Sequence, residues 1–202
     1  DRGLHNRLGV WPEVRRRAPH ATLRILYDPS GMQRFAELPE HPTGWVENLR
    51  RRSVYQLEAI ERLAPHGVEL VGSVSRMQML REFGEAEILA YPCDPVRYTE
   101  TFGSTVLEAM SAGCVPVICP ADAFAELWYG APGVLGTALP FNPDHYAKVL
   151  AGGLNDRSGR EELAKRAREH AAFYDWELLG CRMERFLETR GAEGFDRAFT
   201  PV

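Results

Sequence analysis

The stretch from Ile88 to Ile118 restricts the fold more than any other part of the chain. Ile88-Leu89-Ala90-Tyr91 is a short apolar run closed by Pro92, and its length and flank suit a buried parallel strand better than a helix. From Phe102 onward Val106, Leu107 and Met110 recur at helical spacing until Gly113 stops the pattern, and Val115-Pro116-Val117-Ile118 follows as a second apolar run. The segment therefore reads as strand, loop, helix, strand.

The same alternation extends on both sides. Leu4, Leu8, Trp11 and Val14 mark a helix, Thr22 to Tyr27 a strand, and Val46 to Leu63 a longer helix ending near Pro65 and Gly67. Strands are predicted at 68–71, 87–91 and 115–118, with a short helix near 75–84 and another at 103–112. This order predicts an α/β fold, a Rossmann-like parallel sheet with helices on both faces. From Asp144 onward the chain reads as helical, with Leu163, Ala167 and His170 on one stripe and Leu178, Leu179, Met183 and Phe186 on another. Trp11, Trp128 and Trp176 sit in apolar patterns and read as core. Asp28 to Trp45, punctuated by Pro29, Gly31, Pro39 and Pro42, reads as a long loop.

Composition excludes several classes. A chain of 202 residues with 45% hydrophobic and 26% charged residues can bury one core, so disorder is not expected. A net charge of −4 gives no reason to expect nucleic acid. Cys93, Cys114, Cys119 and Cys181 lack metal-ligand spacing, and three of them fall at strand positions, where Cys serves as a small buried hydrophobe. No His/Asp/Glu cluster has metal-ligand spacing either, and the six histidines have no triad partner at a diagnostic spacing. No apolar run reaches the roughly 18 residues of a membrane span and no signal peptide is visible, so the chain reads as cytoplasmic. Arg15-Arg16-Arg17 and Arg50-Arg51-Arg52 read first as solvated helix faces; peripheral contact with anionic lipid is the other reading.

The chemistry concentrates at the start of the central helix. Backbone N–H groups of Phe102, Gly103 and Ser104 at a helix N-terminus would lack intrahelical partners and favour a phosphate. Gly103 would let that phosphate approach the backbone. Glu100 precedes this point in the loop, whereas Glu108 lies about 9 Å down the helix axis from Phe102, at about 1.5 Å per residue. A ligand with a diphosphate at its middle could offer a hydroxylated sugar to Glu100 and a ribose to Glu108, which describes a nucleotide sugar.

At these residues the chain resembles the retaining glycosyltransferases of GT-B architecture that carry an E-x7-E motif, the family 4-like group. Glu100-Thr-Phe-Gly103 and Glu108-Ala-Met-Ser-Ala-Gly113 are in register with it. The likeness continues through Gly67-Val-Glu-Leu-Val-Gly72, Met79-Leu80, Ala86 to Pro92, Ala125-Glu126-Leu127 and Phe173-Tyr-Asp-Trp176-Glu177, and covers most of residues 1–187.

The resemblance implies a donor-binding C-terminal half, with nucleotide diphosphate sugar as donor substrate and no other cofactor. It implies that Glu100 holds sugar hydroxyls at the reacting carbon and Glu108 the ribose. Val74, Ser75, Arg76 and Met77 would meet the base, with Ser75 equally able to cap a helix; uracil, guanine and adenine stay open. Arg2-Gly3 falls at a family Lys-Gly pair that grips the diphosphate, with Arg in place of Lys. Glu126 matches a Glu often found near the donor site, and a surface role is equally open. Residues 1–202 are expected to be a single domain without the family's first strand, which precedes Asp1 in the pattern, and without the N-terminal acceptor domain. The acceptor, whether glycan, lipid or protein, is not legible. A non-catalytic nucleotide-sugar-binding module and a sugar-nucleotide epimerase share the same features.

Overall fold

A computed structural model describes residues 3–36, 43–93 and 102–189. In chain order the elements are α1 (Leu4–Arg17), β1 (Leu23–Ile25), α2 (Pro29–Ala36), α3 (Thr43–Leu63), a 3-10 turn (Ala64–His66), β2 (Val68–Leu70), α4 (Arg76–Glu85) and β3 (Ile88–Tyr91). They continue as α5 (Ser104–Ala112), β4 (Val115–Ile118), α6 (Phe124–Leu127), β5 (Leu135–Gly136), α7 (Pro143–Asn155), α8 (Arg157–Ala172) and α9 (Trp176–Glu188). The expected α/β alternation is present.

All strand pairs are parallel, but they form two sheets. β1 pairs with β2, with Leu23 opposite Val68 and Ile25 opposite Leu70. β3, β4 and β5 form the second sheet in that order, with Ile88 opposite Val115 and Val117 opposite Leu135. β4 is the central strand and is wholly buried. Pro116 is tolerated there because β5 begins only opposite Val117, so no ladder bond is asked of the missing N–H.

Helices cover both faces, and β4 shows why. Val117 and Cys119 enter one core with α1, α3 and α7, through Leu8, Trp11, Val14, Ile60 and Tyr146. Ile118, between them, enters the opposite core with Val106 and Met110 of α5, Phe124 and Trp128, and Ala167 of α8. Successive strand residues point to opposite faces, so an unbroken apolar run is what a strand covered on both sides requires. Tyr146 of α7 ties the first core to the sheet, its hydroxyl donating to Val117 O at 2.9 Å. Each fully buried large apolar side chain is worth roughly 1.5–3 kcal/mol, so these two layers dominate the cohesion of the fold.

Helix boundaries follow local capping. Ser75 Oγ accepts from Gln78 N at 3.2 Å, Asn142 Oδ1 from His145 N at 2.9 Å, Asp156 Oδ1 from Gly159 N at 2.9 Å and Asp175 Oδ1 from Glu177 N at 2.9 Å. α2 corrects the expected loop between Asp28 and Trp45. Asp28 Oδ1 accepts from the backbone N–H of Ser30 at 2.9 Å, and Pro29 occupies the first helical position, where its missing N–H costs nothing.

Two further corrections concern packing. Trp176 is 86% exposed, not core, and Leu178 and Met183 are exposed too, so the buried stripe expected on α9 is absent. Leu179 and Phe186 of that stripe are half-buried, and Arg182 lies on the same side. Trp11 and Trp128 are buried as expected, as are Cys93, Cys114 and Cys119, while Cys181 is exposed. Burial pushes the Cys114 thiol up to about 12, which suits an inert packing role. Members of both arginine triplets find local partners: Arg16 and Arg17 bind Glu13, Arg15 donates to Ala21 O at 2.7 Å, and Arg51 meets Glu47 at 2.9 Å.

Candidate functional site

The site assembles where β3 hands over to α5. Cys93, just past β3, is fully buried. Glu100 lies outside the described residues, as does Arg2. The chain is described again at Phe102, whose carbonyl accepts from Trp128 Nε1 at 2.6 Å. The Phe102 ring packs edge-on to Trp128 at 5.5 Å and to Tyr174 at 6.0 Å between centroids.

Gly103 caps α5 with φ at 75°, in the left-handed region where glycine carries no Cβ penalty. A Cβ there would collide with the Phe124 ring and meet Trp128 Nε1 at 3.2 Å. The absent side chain thus faces the aromatic cluster beneath the loop. Val106 N already donates to Gly103 O at 2.8 Å. Gly103, Ser104 and Thr105 therefore carry the N–H groups left without intrahelical acceptors at the positive end of the dipole. Phe102 precedes this set by one residue, and Thr105 joins it. Locating the cap at Phe102 rather than Gly103 hid Thr105 from the sequence reading.

Glu108 stands a little over one turn into α5, its side chain 19% exposed. Its Oε1 lies 3.0 Å from Arg76 Nη2. Arg76 is the first residue of α4, so the structure brings the Val74–Met77 segment directly against the second carboxylate. Ser75 caps α4, Val74 is half-buried in the preceding loop, and Met77 is 64% exposed. Because Arg76 is 75% exposed, the pair is close to a surface ion pair, worth about 0.2–1 kcal/mol, little enough for a ribose hydroxyl to compete for the carboxylate. Glu126, on the short α6, is exposed.

Trp128, Tyr174 and His170 stand beside the site, which sequence reasoning did not foresee: Trp128 was read as core, His170 as part of a helical stripe and Tyr174 only as part of the family likeness. Tyr174 packs on Trp128 at 5.3 Å, His170 lies edge-on to Trp128 at 6.3 Å, and together they seat the Phe102 backbone. Their signal was ambiguous because aromatic residues after a helix pattern also signify plain packing. Burial lowers the pKa of His170 and raises that of Tyr174, holding both neutral near pH 7. Among the described residues no group of His, Cys, Asp and Glu converges to hold a metal. No described helix is long and apolar enough to cross a membrane.

A parallel α/β domain with a glycine-initiated helix at a strand's carboxyl end defines a Rossmann-like domain with an anion-binding helix terminus. The family described as Glycosyl transferases group 1 matches residues 46–170, and the chain belongs to it. It is 34% identical over 103 residues to the phosphatidyl-myo-inositol mannosyltransferase of Mycolicibacterium smegmatis, covering 50% of this chain and 26% of that protein. It is 30% identical over 141 residues to the D-inositol 3-phosphate glycosyltransferase of Kribbella flavida, covering 69% of this chain and 29% of that one. Among solved structures, the sucrose-phosphate synthase of Thermosynechococcus elongatus superposes with a TM-score of 0.58 over 93% of this chain and 51% of its own, at 18% identity, a likeness of fold. The chain spans about a quarter to a third of the curated relatives it matches.

Proposed function

We propose that this chain is the donor-binding part of a retaining glycosyltransferase that moves a sugar from a nucleotide diphosphate sugar to an acceptor hydroxyl. The observation that carries the reading is the convergence of Gly103, Ser104 and Thr105 at the start of α5 with Glu108 against the first turn of α4. The diphosphate would sit at the α5 N-terminus, where the backbone N–H groups and dipole are already oriented. The ribose would reach Glu108, displacing Arg76, and the base would lie against Val74 and Met77. The relatives named for mannosyl and glycosyl transfer support the same class.

In this reading the bond between the sugar's C1 and the diphosphate oxygen breaks through an oxocarbenium-like transition state. The new bond forms to the acceptor oxygen on the same face, and the acceptor's proton passes to the departing phosphate. Negative charge grows on the diphosphate as it leaves. N–H groups fixed before the reaction stabilise that charge without reorganising, and Arg2 would add a cation. Glu100 would hold sugar hydroxyls and orient C1, so neither carboxylate acts as a nucleophile. The acceptor belongs to a separate N-terminal half in this reading, so residues 1–202 alone bind donor without transferring it.

Calorimetric titration with UDP, GDP and ADP, each repeated as its sugar conjugate, tests the proposal. One base should bind saturably. Glu108→Ala should weaken that nucleoside diphosphate about 10- to 100-fold, the loss of a charge-assisted hydrogen bond. Glu100→Ala should spare the bare nucleotide and weaken only the conjugate. Equal losses for both ligands in both variants would refute the division of labour, and no binding by any nucleotide to the folded chain would refute the site.

A further inference from the structure

The outer side of α1 forms one wall of an open groove of about 490 Å³, the size of a small-molecule pocket. α1 contributes His5, Asn6, Gly9 and Val10, and α3 contributes Arg51, Arg52 and Tyr55. Phe141 and Pro143, at the entry to α7, complete the described lining. None of these residues belongs to the site at the start of α5.

The lining is apolar in part and cationic in part. Val10, Tyr55, Phe141 and Pro143 offer carbon surface, whereas Arg51, Arg52 and His5 offer N–H donors, and no Asp or Glu is among the described residues that line the groove. In a chain of net charge −4 this is a local excess of positive charge, and a concave surface lined by one sign concentrates its field. Arg51, Arg52 and Tyr55 share a side of α3, because residues three and four apart on a helix are neighbours. Glu47 engages Arg51 only through Nε, at 2.9 Å, and both partners are exposed. Such a pair is weak, and it leaves the two terminal amino groups of the guanidinium for another acceptor.

The walls are held in place. Asn6 Nδ2 donates to Pro92 O at 3.3 Å, and the Phe141 ring packs on Tyr146 at 5.6 Å between centroids. Gly9 is the open point: it is exposed within α1, and an added Cβ would meet nothing within 4 Å. Glycine is a poor helix former, and here it keeps that wall of the groove clear of any side chain.

We propose that this groove is a second ligand site, for a phosphomonoester carried on a small carbon framework. The phosphate would take paired N–H groups from Arg51, whose planar fork matches its oxygens, with Arg52 and His5 adding donors. The carbon framework would lie against Tyr55 and Phe141. A free sugar phosphate and the headgroup of an anionic lipid share this chemistry. The inference does not depend on what the α5 terminus binds.

The test follows residue-resolved amide chemical shifts of the chain as glucose 6-phosphate or, separately, glucose is added. The proposal expects saturable shifts at Gly9 and Tyr55 with the phosphate and none with glucose. Arg51→Ala should weaken this binding about 10- to 100-fold, the loss of a charge-assisted hydrogen bond. Gly9→Leu should abolish it while the melting temperature holds or rises, since leucine is the better helix former and its Cβ meets no neighbour. Shifts confined to Gly103, Ser104 and Thr105 would mean that the α5 terminus alone takes the phosphate, and would overturn the proposal. So would equal shifts with glucose, or binding that Arg51→Ala weakens and Gly9→Leu leaves intact, which is attraction to surface charge without a groove. The lipid arm measures retention on phosphatidylcholine vesicles with and without phosphatidic acid. Retention that needs phosphatidic acid and is lost in Gly9→Leu, without binding of glucose 6-phosphate, assigns the site to a lipid headgroup. Binding of glucose 6-phosphate without such retention assigns it to a soluble ligand, and failure of both arms overturns the proposal.

Discussion

At the scale of single residues, Gly103 and Arg76 carry opposite expectations. Gly103→Ala puts a Cβ both into the left-handed region and into the Phe124 ring. The backbone term is about 1–2 kcal/mol and the overpacking term about 1–3 kcal/mol. We expect a loss of about 2–5 kcal/mol in chemical denaturation, with nucleotide affinity falling alongside because the same residue starts the proposed anion site. Arg76→Ala removes one exposed partner of Glu108, so stability should change by less than about 1 kcal/mol. Nucleoside diphosphate binding should persist, since Glu108 is then free for the ribose; a loss as large as that of Glu108→Ala in the same titration would make Arg76 a ligand contact instead. The position of Glu108 on α5 was legible because its spacing from a helix start is fixed by helix geometry. Arg76 as its partner was not, because the contact joins residues from two different crossovers.

Elements were legible where one kind of burial dictated the pattern. β3 and β4 are covered on both faces, and their unbroken apolar runs said so. α2 was missed because Pro29 and Gly31 signal a turn as readily as a helix start, and the deciding contact is Asp28 with Ser30. α9 was misjudged because a periodic apolar pattern shows only that a face exists, not that anything packs on it. No residue of α9 is buried, and Trp176, Met183 and Leu187 are exposed. Its stability therefore leans on Asp175, which accepts from both Glu177 N and Leu178 N. Asp175→Ala should cost α9 about 0.5–2 kcal/mol of local stability. Amide exchange should quicken in residues 176–188 and stay unchanged in β4, and equal acceleration in both would show that α9 is instead part of the global unfolding unit.

For the whole molecule, the clearest pH dependence comes from His170. Its folded pKa is lowered by burial among Trp128 and Tyr174, so the unfolded chain binds its proton more readily. Stability from this group is fully present above the ordinary histidine range and falls as pH drops through it toward the folded value. Thermal melts at about pH 7.5 and about pH 5.5 should show destabilisation on acidification that His170→Gln reduces; an unchanged pH slope in that variant would assign the effect elsewhere. The cluster that senses acid also holds the exit of the site loop, through Trp128 and the Phe102 carbonyl, while the fully buried Cys93 holds the entry. The described residues on either side of 94–101 are thus held by packing, at Cys93 and at Phe102. A segment joined to anchored ends can change in length or sequence without disturbing them. In the proposed reading, where Glu100 meets the sugar and the α5 terminus the diphosphate, exchanging 94–101 for the equivalent stretch of another family member would change which sugar is accepted and leave the grip on the nucleotide in place.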